Sequence, residues 1–81
     1  MSPEKLVYMA NQIGRFFAHQ PAELAVANTA DHLKKFWDPR MRRQIVAYLH
    51  DQGGGELSEL ARAGVARLAE LDAAGKQPRA S

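Results

Sequence analysis

The 81-residue chain contains no cysteine. That excludes disulfides, a thiol nucleophile and any iron–sulfur cluster held by this polypeptide, and it fits a reducing compartment. No apolar run approaches the roughly 20 residues needed to span a bilayer. The first residues also lack the charged, apolar, small-residue order of a secretory leader. The expectation is a cytoplasmic protein with no membrane attachment. Nowhere does hydrophobicity alternate with the period that marks a half-buried strand. Aromatics are few: one Trp, two Tyr and three Phe. Net charge is small, since eleven Lys and Arg stand against nine Asp and Glu, giving +2. A chain this short buries only about 60–65% of the surface its unfolded form exposes. Its core is marginal, and a partner is one of the usual supports for such a domain.

What the sequence does contain is helix punctuation. Ser2-Pro3-Glu4 combines a capping residue, a first-position proline and an acidic first turn. Leu6, Met9, Ala10, Ile13, Phe16 and Phe17 follow at helical spacing as one predicted stripe. Gly14 weakens that helix by about 1 kcal/mol relative to Ala; it either marks a close helix crossing or carries no message. His19-Gln20-Pro21 ends the segment, because the residue before proline is pushed out of helical geometry. A second helix is expected from about Ala22 to Phe36, with Val26, Ala30, Leu33 and Trp37 inward and Phe36 beside them. Asn28 and Thr29 are weak helix formers and allow a break there. Asp38 then caps and Pro39 starts a third helix, which runs to about Gln52. Met41, Ile45, Tyr48 and Leu49 are expected inward, and Arg42, Arg43 and Gln44 largely outward.

Gly53-Gly54-Gly55 must be a loop, because three glycines carry too much backbone entropy to stay helical. It is not a phosphate loop, for neither the following Gly-Lys-Ser/Thr nor a preceding strand is present. A fourth helix is expected from near Leu57-Ser58 to about Ala74, with Leu57, Leu60, Ala61, Gly64, Val65, Leu68 and Leu71 as its apolar stripe. Gly75 is placed to stop it. The fold class is all-α: a small bundle of four helices with a tight corner at Trp37-Asp38-Pro39. Residues 1–75 read as one domain and 76–81 as a flexible tail.

Chemistry is thinly represented. The hydroxyl nucleophile candidates are Ser2, Ser58, Ser81, Thr29, Tyr8 and Tyr48, and none has an elbow motif around it. His19, His32 and His50 lie in three segments without metal-ligand spacing. Asp31-His32 and His50-Asp51 are adjacent pairs, and neighbours on a helix point to different faces. The sequence therefore assigns no catalytic, cofactor-binding or metal-binding residue, and the chain is expected not to be an enzyme.

The feature with more content is the segment 31–43. Lys34, Lys35, Arg40, Arg42 and Arg43 against Asp31 and Asp38 leave it at +3. A solvated helix face is the plain explanation, and a core position is the plain explanation for at least one of Phe36 and Trp37. Two functional readings compete with these. A helix-turn-helix would place Arg40, Arg43 and Gln44 early in a recognition helix. Against it, the usual glycine-bearing turn is missing and the overall charge is low, so nucleic acid is not expected as a partner. A protein-docking surface would use Phe36, Trp37, Arg40, Arg42 and Arg43, residue types enriched at the energetic centre of interfaces.

The motifs Met9-Ala10-Asn11-Gln12-Ile13 with Phe16-Phe17, then Ala30-Asp31-His32-Leu33 with Phe36-Trp37-Asp38-Pro39-Arg40-Met41-Arg42, resemble the delta subunit of NAD-dependent formate dehydrogenase. The likeness covers about residues 5–70. It implies a small accessory chain of a soluble, molybdenum-containing complex. Such a chain would bind the large (alpha) subunit, and through it the beta and gamma subunits, and support assembly or stability. A transient assembly chaperone of the same complex is the neighbouring possibility. The resemblance further implies that molybdopterin guanine dinucleotide with molybdenum, iron–sulfur clusters, FMN and NAD belong to the other subunits, with no cofactor bound by this chain.

Overall fold

Four helices account for most of the chain: α1 (Pro3–Phe17), α2 (Ala22–Phe36), α3 (Pro39–Gln52) and α4 (Glu59–Lys76). The computed structural model describes residues 2–76. Apart from Lys76, the tail expected at 76–81 lies outside those described residues. No strand occurs among them, and no helix is long and apolar enough to cross a membrane.

Local chemistry sets most helix ends. Ser2 caps α1 by accepting from the Lys5 backbone N–H at 3.3 Å, with Pro3 in the first turn. Asp38 caps α3 in the same way, its Oδ1 accepting from Met41 N–H at 2.8 Å. Ser58 caps α4 through its Oγ, 3.1 Å from Ala61 N. Each such cap contributes about 1 kcal/mol. Gly53 stops α3 in the left-handed conformation at φ 71°. Gly54 follows at φ 65°, and a side chain on it would strike Leu49 Cδ1 at 2.8 Å, so the loop turns inward there. The fourth helix does not stop at Gly75 as expected but continues through Lys76.

Tertiary packing centres on α4, which touches all three other helices and lies most extensively against α2. The continuous core joins Leu6, Val7 and Ala10 of α1 to Ala30 and Leu33 of α2, then Trp37, Ile45 of α3 and Leu57, Ala61, Val65 and Leu68 from the fourth segment. Two glycines lie at helix contacts, and at Gly64 the contact leaves no room for a side chain. A Cβ on Gly14 would sit 3.4 Å from Ala61 N, so Gly14 does mark a helix crossing. A Cβ on Gly64 would sit 2.6 Å from Thr29 Cγ2.

The packing corrects three expectations about which side chains face inward. Phe16 is not in the α1 stripe; it is 71% exposed. At about 100° per residue it lies about 80° around the helix from Leu6, whereas Phe17 lies within about 20°. On α2 the fully buried line runs through Ala25, Thr29, Ala30 and Leu33, and Val26 is only half-buried. Gly64 closes on this line at Thr29 and Ala30. Helix α2 also shows no break at Asn28 and Thr29. Instead the Asn28 amide donates to Gln20 Oε1 at 2.7 Å and ties the α1–α2 turn in place.

The third correction is Arg42, expected outward. Its Nη1 donates to the carbonyls of Lys34 at 2.7 Å and Trp37 at 3.2 Å. These oxygens end α2, where carbonyls lack helical partners and the dipole favours a cation. The Nε lies 3.5 Å from Asp72 Oδ2 of α4. That is close enough to pair charge, yet the N–H is not aligned for a hydrogen bond. Arg42 thus staples α2, the corner and α4 together. We expect Arg42→Ala to lower stability by about 1–2 kcal/mol, with Arg42→Lys recovering less than half because it lacks the planar fork. Urea denaturation followed by circular dichroism measures both.

Candidate functional site

The corner between α2 and α3 is built by division of labour. Trp37 is 5% exposed and belongs to the core. Its backbone N–H closes the last turn of α2 on Leu33 O at 3.0 Å. Asp38 is spent on the α3 cap and Arg42 on the α2 carbonyls. What remains at the surface is Phe36, 72% exposed, with Lys34, Lys35, Arg40 and Arg43, all exposed. Lys35 pairs with Asp31 at 3.2 Å, one helical turn away, with both side chains more than half exposed. Such a pair contributes about 0–1 kcal/mol. Lys34, Arg40 and Arg43 have no carboxylate within ion-pair distance among the described residues. Of the five residues singled out for partner binding, the structure therefore turns Phe36, Arg40 and Arg43 to the surface and commits Trp37 and Arg42 to holding the corner.

A helix-turn-helix joins its helices through a turn of about three or four residues. Here only Trp37 and Asp38 separate α2 from α3, and the corner residue is buried. The two helices meet chiefly at that corner and pack instead on their neighbours.

A second surface feature adjoins the corner. Phe16 and Phe17 meet edge to face with centroids 5.0 Å apart. Phe17 reaches His32 of α2 at 6.3 Å, and His32 lies 4.7 Å from Phe36. The four rings form one continuous strip across α1 and α2. Sequence reasoning put Phe16 and Phe17 together in the core and missed the strip. The available signal was the doublet itself: adjacent residues stand about 100° apart on a helix, so both cannot share a narrow stripe.

The other sites are occupied by structure. Asn11 Oδ1 accepts from Ser58 N–H at 2.8 Å, and its Nδ2 donates to Glu56 O at 3.1 Å, clamping the glycine loop to α1. The Tyr48 hydroxyl accepts from Glu56 N–H at 3.1 Å on the same loop. Tyr8 accepts from Gln12 Nε2 at 2.8 Å. Thr29 is fully buried, and its hydroxyl has no partner among the described residues. Among the described residues no group of three His, Asp or Glu side chains could hold a metal ion. A groove of about 820 Å³ runs between α1, α2 and the start of α4, its lining including Gly14, Ala18, Ala22, Ala25 and Ala63. Its rim carries Arg15 and Glu59, with no nucleophile paired to a base.

The sequence matches, over residues 5–65, the family model described as the NADH-dependent formate dehydrogenase delta subunit FdsD. Neither the curated proteins nor the solved structures contain a match. The residues of the likeness noted from sequence fall largely on the joints of the fold: Asn11 on the loop clamp, Trp37 in the core, Asp38 on a cap and Arg42 on the staple.

Proposed function

The chain belongs to the family of NADH-dependent formate dehydrogenase delta subunits, and on that premise we propose that it is a non-catalytic accessory subunit that docks on the large, molybdenum-carrying subunit and stabilises it. The molybdopterin, iron–sulfur clusters and FMN would then sit in the other subunits, and formate oxidation and NAD reduction would proceed there. The contribution of this chain is a surface.

One observation supports the reading above the others. The α2–α3 corner is tied by Trp37, Asp38 and Arg42, while Phe36, Lys34, Arg40 and Arg43 stay exposed. An exposed aromatic beside guanidinium groups that have no carboxylate partner among the described residues is the composition of an interface centre. Such cations speed encounter with an acidic surface and fix its register. A marginal small domain also gains stability when a partner binds its folded form.

The test is purification of the complete formate dehydrogenase complex with wild-type chain and with the Arg40→Ala/Arg43→Ala variant. The wild-type chain is expected in fixed ratio to the large subunit in the mature complex. The variant should bind at least tenfold more weakly, with a shallower dependence on salt. Absence of the wild-type chain from the mature complex, with association only to the cofactor-free large subunit, would replace a permanent subunit by an assembly chaperone. Equal binding by the variant would remove the corner from the interface.

A further inference from the structure

We infer that the ring strip Phe16–Phe17–His32–Phe36 is the apolar centre of the docking face, and that it seats in an apolar depression of the large subunit rimmed by carboxylates. The inference rests on the accessory-subunit reading and names the surface through which it works.

Three observations lead there. First, the strip is not needed by the core. Phe16 and Phe36 are 71% and 72% exposed, the two most exposed large apolar side chains of the described residues. A free monomer of this size has little reason to hold two such side chains on one patch. Second, the rings are already ordered against one another, at 5.0, 6.3 and 4.7 Å. A preassembled aromatic surface loses little side-chain freedom on binding. Third, the charges around it choose the partner. Arg15 adjoins Phe16 in the chain and Arg40 follows Phe36 by four positions, whereas Lys34 lies about 160° around α2 from Phe36 and Lys35 is offset by Asp31. Asp31 is paired with Lys35, and Asp38 is spent on its cap. A second copy of this chain would bring cations onto cations, a juxtaposition that suppresses a pairing. A carboxylate-rimmed partner would meet them with opposite sign, and it would cover Phe36 and the Arg40 corner in the same contact.

The experiment uses the full chain and purified large subunit. Affinity is measured by calorimetry for wild type, for Phe16→Ser/Phe36→Ser and for Arg40→Ala/Arg43→Ala. The serine variant is expected to keep its thermal midpoint within about 3 °C, as surface changes do, and to lose at least tenfold in affinity. Sedimentation of the free wild-type chain is expected to show a monomer. In parallel, a photo-crosslinking residue at position 16 should capture the large subunit, while the same residue at position 4 should not.

Failure of the wild-type chain to bind the large subunit would overturn the accessory-subunit reading itself. Wild-type binding with an unchanged serine variant, or no capture from position 16, would overturn only the strip. A serine variant that fails to fold would show that the strip belongs to the fold. A wild-type dimer that the serine substitutions dissolve would make it a self-association surface. Either result removes the proposal.

Discussion

Trp37→Ala is expected to lower the stability of the free chain by about 3–5 kcal/mol, the usual cost of emptying a large aromatic from a core. A domain of this size has on the order of 4–12 kcal/mol in total. The variant should therefore be partly unfolded at 37 °C, with a shallow thermal transition by circular dichroism. The cause is the position of Trp37 at 5% exposure among Leu6, Leu33, Ile45 and Leu68. Its removal also loosens the backbone that Asp38 and Arg42 hold on either side. Trp37→Phe should cost less than half as much, because most of the ring area is kept. Phe36→Ala, one residue earlier, should leave stability within about 0.5 kcal/mol of wild type. The contrast between neighbours is the measurement. Equal losses at 36 and 37 would mean that the corner is not divided between core and surface as described.

The second large effect is expected at Gly64. In an exposed helix, Gly→Ala gains about 1 kcal/mol. Here the new Cβ would lie 2.6 Å from Thr29 Cγ2 and 3.0 Å from Thr29 Cβ, with the Ala30 backbone nitrogen 3.8 Å away. Thr29 is itself fully buried, so it has no solvent side into which to swing. Overpacking of this kind costs about 1–3 kcal/mol, and the closeness of the contact puts it at the upper end. We expect a net loss of about 2 kcal/mol for Gly64→Ala. Thr29→Ala alone should be near neutral, since it removes a methyl but also a buried hydroxyl without a partner among the described residues. In that background Gly64→Ala should cost about half as much, because Cγ2 is gone while Cβ still crowds the site. A double-mutant cycle by urea denaturation reads the coupling directly. Additive losses would place the α2–α4 contact elsewhere.

These two predictions also mark where sequence reading stopped. Most helix ends, though not the end of α4, were legible because they depend on neighbours in the chain. Ser2 caps with Pro3 behind it, Asp38 caps with Pro39 behind it, and the triple glycine interrupts. The four helices and the short corner at Trp37-Asp38 follow from those signals and from apolar spacing. The rotation of each helix was less legible. A stripe of apolar letters is wider than the line that is finally buried, so Phe16 and Val26 were drawn inward while Gly14 and Thr29 took the innermost places.

The corner proposed for docking was half legible for a related reason. Composition marked Phe36, Trp37, Arg40, Arg42 and Arg43 as a group, but it could not say which of them the fold would consume. Arg42 reaches carbonyls that only become unpaired once α2 has ended. Its charge also meets Asp72, which lies thirty positions further along the chain. Phe17 and His32 likewise meet only because α1 and α2 are packed together.

The sequence by itself determined that this chain is all helix, where the helices begin, that it holds no thiol chemistry, and which family it resembles. Those properties are set by residue type and by local hydrogen bonding. Only the tertiary structure decided that Trp37 and Arg42 hold the frame, that Phe36, Arg40 and Arg43 face outward, and that four rings from two helices make one surface. The physical reason is that helix contacts, such as that of Gly64 with Thr29, join residues far apart in the chain, and those distances exist only after the chain has folded.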